Sequence, residues 1–316
     1  MLWLMCIMKR VEVKIVGDEM KSEQTFRRAF LESGYEWVNL INPSHDEVKQ
    51  LSQKYNLDFE VVVAALDEEE RSRVEFESTY TMIIVDVPVS YEDETFYSTV
   101  PLGLILTEKQ LITICTRPLN VFNKRRLHTG ASVKMYVYQI LYNISILYLG
   151  YLRIIERKST KVEIALKRST RNQELLEMLD LQKSLVYLSS SLRSNQIVLE
   201  RLLKLEKRDS NEFDLLEDAM IENRQAIDMS KIYSNILSST TDVFASVISN
   251  NLNMVMKSLT VVSVIIAVPT VVASFFGMNV PVPFQQNDYG FLFVIFLSVL
   301  ITIVAGIYIR SKQFPK

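Results

Sequence analysis

The chain has 316 residues, with 35 Lys and Arg against 37 Asp and Glu and a formal net charge of −2, so there is no electrostatic case for a nucleic-acid partner. Gly and Pro number 8 each, well below the average usage of about 7% and about 5%, which argues against collagen-like, glycine-loop and turn-dense all-β chains. Two His (His45, His128) and two Cys (Cys6, Cys115) give no case for a His/Cys zinc centre or a disulfide framework, and a reduced cytosolic setting is the default. No Ser/His/Asp set, phosphate loop or paired-carboxylate site stands out, so no enzyme activity is implied.

Met1–Met8 is apolar but short, and Lys9 and Arg10 follow it instead of preceding it. That is the wrong order for a secretory signal, and Met8 is the expected first residue. Residues 1–130 read as a cytoplasmic α/β domain. Strands are expected at Val11–Val16, Trp37–Ile41, Thr79–Val87, Thr99–Leu106 and Gln110–Thr116, where residues alternate or β-branched side chains concentrate. Ser44-His-Asp-Glu47 is a capping-box pattern that starts a helix through about Tyr55, and Asp58–Ala65 reads as another.

From Tyr151 to Val268 there is neither Gly nor Pro over 118 residues, the composition of long helices. Turn chemistry at Ser169–Asn172 and Arg208–Asn211 divides it into a long hairpin, residues 131–208, and a third helix from Asn211 to Phe276, about 99 Å at 1.5 Å per residue. Residues 211–257 form its cytoplasmic stalk and residues 258–276 its membrane span.

Charge is unevenly spread. Ser258–Asn287 is a run of 30 residues without a charge and Tyr289–Ile309 another of 21, and only four of the 72 charges lie beyond Lys257. Each run is long enough to cross a bilayer as a helix. The expected order is a first transmembrane helix to residue 276, an outer loop at 277–289, a second transmembrane helix at 290–309 and a basic tail at 310–316. Lys257 precedes the spans, Arg310, Lys312 and Lys316 follow them, and the loop carries no Lys or Arg. The positive-inside tendency then puts both termini of a multi-pass protein in the cytoplasm.

Within the first span, Thr260, Ser263, Thr270 and Ser274 fall within an arc of roughly 80°. Steps of 3 and 4 extend the stripe through Asn253, Met256 and Ala267. One reading is helix packing, since small and hydroxyl residues let transmembrane helices approach. The other is a water-lined face, which requires several copies of the chain because two helices cannot enclose a path. Pro269 cannot donate to the carbonyl of Ile265, which leaves that oxygen available.

The span ends in Ser274-Phe-Phe-Gly-Met-Asn279. Here the sequence resembles the CorA family of divalent-cation channels, whose signature is Gly-Met-Asn at the outer end of the first of two C-terminal transmembrane helices. The order around Gly277-Met278-Asn279 agrees with it: a large soluble domain, a long Gly/Pro-free helix, a charge-free span, a short loop, a second span and a basic tail. The resemblance covers the whole chain, including Trp37-Val-Asn-Leu40, and is loose in the soluble half. It implies an α+β membrane protein of the plasma membrane, with an N-terminal cytoplasmic α/β domain, a helical hairpin and stalk, and two transmembrane helices, assembled as a homopentamer.

The resemblance further implies that Gly277, Met278 and Asn279 form a selectivity filter for hydrated Mg²⁺, with Co²⁺ and Ni²⁺ as further cargo. Mg²⁺ dehydrates reluctantly, so a ring of neutral carbonyl oxygens that accept hydrogen bonds from its first-shell waters suits it. Asn279 offers a side-chain carbonyl, and Gly277 is expected to let the backbone turn; a plain helix C-terminal cap is the bland alternative for Asn279. The pore would continue through Ser274, Thr270, Ala267, Ser263 and Thr260 to an apolar constriction at Met256 and Leu259, with Asn253 below, and such constrictions gate by dewetting. Ser274 replaces the Gly common in the family.

Cytosolic Mg²⁺ is also the family's regulatory ligand. A gapless count from the signature puts Asp218 at a sensor position, but Val63-Ala64 stands where a Leu-Glu-Asp segment is expected, so Asp67 and Glu68–Glu70 one turn on are the substitutes or merely a solvated turn. Two further departures concern the hairpin, which carries a net +5 between Tyr151 and Arg171 where relatives are often acidic, and the outer loop, which reads Val280-Pro-Val-Pro-Phe284. The expected function is a homo-oligomeric channel for Mg²⁺ influx down the membrane potential, closed by cytosolic Mg²⁺. The alternatives are a proton-coupled zinc transporter of the same fold, against which Met278 argues, and a membrane-anchored helical scaffold.

Overall fold

The computed structural model describes residues 26–30, 34–90, 96–122, 131–168, 172–283 and 289–313. The expected strand at Val11–Val16, the Met1–Met8 segment, the turn at Ser169–Arg171, the basic loop around His128 and the loop at Phe284–Asp288 lie outside the described residues. The chain divides into two units, residues 1–241 and 242–316.

In the first unit, strands β1 (Phe26–Phe30), β2 (Glu36–Ile41), β3 (Arg73–Phe76), β4 (Tyr80–Ser90), β5 (Tyr97–Thr107) and β6 (Gln110–Cys115) form one sheet in the order β1-β2-β6-β5-β4-β3. The β2–β6 pair is parallel and the other pairs are antiparallel. The four strands read from the sequence inside the described residues are present. β1 and β3 were not expected, and each lies at an edge of the sheet.

Helix α1 (His45–Tyr55) opens with the capping box: the Glu47 N–H donates to Ser44 Oγ at 3.3 Å and the Ser44 N–H donates to Glu47 Oε2 at 2.7 Å. It ends at Asn56 in the left-handed region, φ 52°. Asp58 caps α2 (Phe59–Ala64) by accepting from the Glu60 N–H at 3.1 Å. These helices cover a core of Val38, Leu40, Ile84, Ile105, Ile112 and Ile114, with Val48, Leu51 and Val62 from the helices. Gly103 on β5 is required by this layer, because a Cβ there would run into the Ala65 methyl.

The long helices are α3 (Val133–Arg168), α4 (Asn172–Leu203) and α5 (Asn211–Phe276). Ser132 and Ser210 start α3 and α5, accepting from the N–H of Met135 at 3.2 Å and of Phe213 at 3.1 Å, which satisfies donors that a helix start leaves orphaned. α4 docks on the edge of the sheet just where β3 ends. The β3–β4 register stops at Arg73 and Ile84, and two residues on, the Asn195 amide takes over from the missing strand by bonding the backbone N–H and C=O of Asp86. Ser72 Oγ donates to Asn195 Oδ1 at 2.9 Å, and Tyr148 OH donates to the Asp86 carbonyl at 3.1 Å. α4 and α5 run antiparallel: the Asn223 amide donates to the Leu192 carbonyl at 3.0 Å and Ser230 Oγ to the Leu185 carbonyl at 3.4 Å.

In the second unit, the end of α5 is followed by helix α6 (Gly290–Gln313). Both α5 and α6 contain segments long and apolar enough to cross a membrane. α5 is unbroken over 66 residues with Pro269 inside it.

Candidate functional site

The seam residues occupy one exposed face of α5: Asn253, Met256, Thr260, Ser263, Ala267, Thr270 and Ser274 are all exposed, as is Leu259. Three of the hydroxyls turn back onto their own helix. Thr260 Oγ1 donates to the Met256 carbonyl at 2.9 Å, Ser263 Oγ to Leu259 at 2.9 Å and Thr270 Oγ1 to Ile266 at 3.0 Å. Each donor is therefore satisfied, and the oxygen lone pairs that face outward are acceptors. A column of neutral acceptors can take hydrogen bonds from water.

A second stripe runs along the same helix. Val261, Val264, Val268 and Val272 are half-buried, and at 100° per residue their mean direction lies roughly 115° from that of the seam. On α6 the shielded positions include Val294, Leu297, Ser298, Thr302 and Ala305, where Ser298 and Thr302 bond the carbonyls of Val294 at 2.8 Å and Ser298 at 2.7 Å. Within this unit the valine stripe of α5 is the partly shielded face, and the hydroxyl seam is exposed.

The signature follows directly. The Gly277 N–H donates to the Ala273 carbonyl at 2.9 Å and the Met278 N–H to Phe275 at 3.5 Å, closing the helix, and Met278 and Asn279 are exposed beyond it. Neither Gly277 nor Asn279 has a positive φ; among the described residues only Gly34, Asn42 and Asn56 do. This corrects the expectation that glycine is needed here for a special backbone turn, and it removes the left-handed cap as the role of Asn279. What Gly277 supplies is room, since a Cβ would sit 3.2 Å from the Ala273 carbonyl oxygen.

The candidate regulatory acids lie in the first unit. Asp218 is exposed on α5 between buried Leu216 and Ala219. Asp67 is exposed after α2, and its Oδ1 accepts from the Glu69 N–H at 3.0 Å; Glu70 pairs with Arg73. Among the described residues no three His, Cys, Asp or Glu converge on a metal position. His45 packs edge-on against Phe59, ring centroids 5.0 Å apart, a structural contact.

One titratable group escaped the sequence reading. Asp86 is half-buried, and burial pushes its carboxyl above the usual carboxylate range, partly offset by the neighbouring Ser191 and Ser72 hydroxyls. The available signal was an acid inside the apolar run Val85-Asp86-Val87.

Comparison with known proteins agrees with this architecture. The family model described as CorA-like Mg²⁺ transporter protein matches residues 32–311. The chain is 30% identical over 285 residues to the cobalt/magnesium transport protein CorA of Methanocaldococcus jannaschii, covering 85% of this chain and 87% of that one. It is 24% identical over 292 residues to the magnesium transport protein CorA of Helicobacter pylori, covering 87% and 89%. The complete structure of the CorA magnesium transporter from M. jannaschii matches with a TM-score of 0.78 at 27% identity, covering 94% of each chain. An N-terminal α/β domain, a long helix and two apolar C-terminal helices are thus features shared with that structure, and the chain belongs to the CorA family of Mg²⁺ transporters.

Proposed function

We propose that the chain is the subunit of a homo-oligomeric, pentameric channel that admits Mg²⁺, with Co²⁺ and Ni²⁺ as further cargo, through the plasma membrane into the cytoplasm. The observation that carries this reading is the position of Gly277-Met278-Asn279 at the end of a helix whose hydroxyl seam is exposed and turned away from its half-buried valines. Several copies with their seams facing inward would line a path with neutral acceptors, and the ring of Asn279 carbonyls would hold the hydrated ion without stripping it. An inside-negative potential supplies about 2.3 kcal/mol per elementary charge per 100 mV. With both termini cytoplasmic, the signature faces outward, at the entrance.

Closure by cytosolic Mg²⁺ is assigned to acids on different copies, including Asp218 and, one turn beyond α2, Asp67. The deciding experiment is Mg²⁺ flux into proteoliposomes loaded with a Mg²⁺-sensitive dye. Asn279→Ala is expected to lower the flux at least about tenfold, a loss of about 1.4 kcal/mol in ion stabilisation; flux at the unsubstituted rate from a folded, inserted variant would sink the reading and favour the scaffold. Metal-dependent proton movement in the same vesicles would instead favour the proton-coupled zinc transporter.

A further inference from the structure

The Asp86 carboxyl lies where β4 meets α3 and α4, and no cation pairs with it among the described residues. The side chains around it are neutral. They are Ser191 and Asn195 from α4, Tyr148 from α3 and Ser72 from just ahead of β3, all of them buried. Thr99 of β5 joins the cluster through Ser191, Oγ1 to Oγ 2.9 Å. Arg73, at that end of β3, is paired with Glu70 and Glu75. Burial, with Asp86 beside it, raises the Tyr148 hydroxyl well above its ordinary value, so Asp86 is the group of this cluster that changes charge at moderate pH.

The hydrogens of the cluster do not suffice for both states of that carboxyl. Ser72 has one hydroxyl hydrogen, which it donates to Asn195 Oδ1 at 2.9 Å, while the Asp86 carboxyl also lies within its reach. A protonated carboxyl is itself a donor to a serine oxygen, so Ser72 keeps its bond to Asn195. A carboxylate accepts only, and hydrogen bonds to a charged oxygen are roughly twice as strong as neutral ones. Ser191 can serve the carboxylate without loss, because Thr99 can donate to Ser191 in turn. Ser72 cannot: turning to the carboxylate takes its hydrogen away from Asn195, whose Oδ1 then keeps the Asp86 N–H as its donor.

We propose that Asp86, Ser72 and Asn195 form a proton-operated clasp. With Asp86 protonated, Ser72 holds the Asn195 amide against β4; loss of the proton turns Ser72 to the carboxylate and loosens α4 from the edge of the sheet. Opening also lets water reach the new charge, which is costly to keep buried. Asn195 lies within one turn of Leu192 and Gln196, whose carbonyl oxygens accept from the Asn223 amide at 3.0 and 2.9 Å. The clasp and the contact of α4 with the α5 segment that carries Asp218 therefore share one turn of helix.

The backbone N–H of residue 86 reports the clasp, because it donates to Asn195. The measurement is its hydrogen exchange in the full chain at single-residue resolution, divided by the intrinsic rate at each pH. Between about pH 4 and about pH 8, a window above the ordinary aspartate value of about 3.9, the normalised rate is expected to rise at least about threefold, as for the loss of one net hydrogen bond. In Asp86→Asn, whose side-chain amide donates to Ser72 at every pH, the rate should stay at the acid value. In Ser72→Ala, which lacks the shared hydrogen, exchange should already be fast in acid and the step should be lost. A flat profile in the parent, or an equal rise in Asp86→Asn, would overturn the proposal. Ser72→Ala decides independently, since a step there as large as the parent's would overturn it as well.

Discussion

Asn195 and Asp86 are joined by two hydrogen bonds of opposite sense. The Asp86 N–H donates to Asn195 Oδ1 at 2.9 Å, and Asn195 Nδ2 donates to the Asp86 carbonyl at 2.8 Å. A side-chain amide here repeats what a neighbouring strand would do, two residues beyond the end of the β3–β4 pairing. Removing it leaves a backbone donor and acceptor without these partners at the junction of sheet and helices. Asn195→Ala should lower the stability of the full chain by about 2–3 kcal/mol in denaturant titration. Asn195→Asp, which keeps the acceptor for the Asp86 N–H and loses the donor, should fall between the two; an Ala variant as stable as the parent would show that the pair is dispensable.

The Asp86 carboxyl gives the same junction a pH dependence. Its pKa is raised in the folded state by burial, so the folded protein holds the proton more tightly than the unfolded chain, whose value is about 3.9. Stability from this group is full below that value and is lost as pH rises through the folded pKa. Asp86→Asn should remove this slope. The variant's stability relative to the parent should increase from about pH 4 upward and then level off, and an offset independent of pH would refute the assignment.

The seam and the valine stripe of α5 make opposite predictions for the same kind of change. Thr270→Val keeps the side-chain shape and removes an oxygen whose hydrogen already bonds Ile266, so the helix itself should be unaffected. If the seam lines the path, ion flux should fall several-fold, since one ring of acceptors is lost. Val264→Thr, on the shielded face, should change flux by less than about twofold while altering thermal stability by about 1 kcal/mol. Equal flux effects at the two positions would argue against a water-lined seam.

For regulation, Asp218→Ala should shift inhibition by cytosolic Mg²⁺ to at least about tenfold higher concentration, the loss expected for about 1.4 kcal/mol of binding. Patch recordings with graded Mg²⁺ on the cytosolic side would read this directly. Inhibition at the original concentration would remove Asp218 from the sensor.

Much of the fold was legible where a local rule coincided with the tertiary outcome. Ser44 and Glu47 define a capping box that forms as written, Asp58 caps α2, and the Gly/Pro-free stretch resolves into α4 and α5 with the later part of α3. β1 and β3 were not legible, because edge strands are paired on one side only and can be short and polar: Arg73-Val-Glu-Phe76 has no continuous apolar pattern. The Asn195–Asp86 contact was invisible for a different reason, since it joins residues 109 positions apart. The seam could be read from its 3.6-residue period alone. Its direction relative to the half-buried valines could not, because Val, Ile and Phe occupy most of the remaining positions of the span and mark no one of them as shielded.

Pro269 gives α5 an uneven mechanical character. From Asn211 through Val268 no proline interrupts the ladder of backbone hydrogen bonds. At Pro269 one bond is missing, and kinks in helices concentrate at such places. Bending is therefore cheapest in the turn from Ile265 to Pro269, beside seam residues Ala267 and Thr270. A bend in that turn would change the tilt of Thr270 and Ser274 against the turns of α5 just before it.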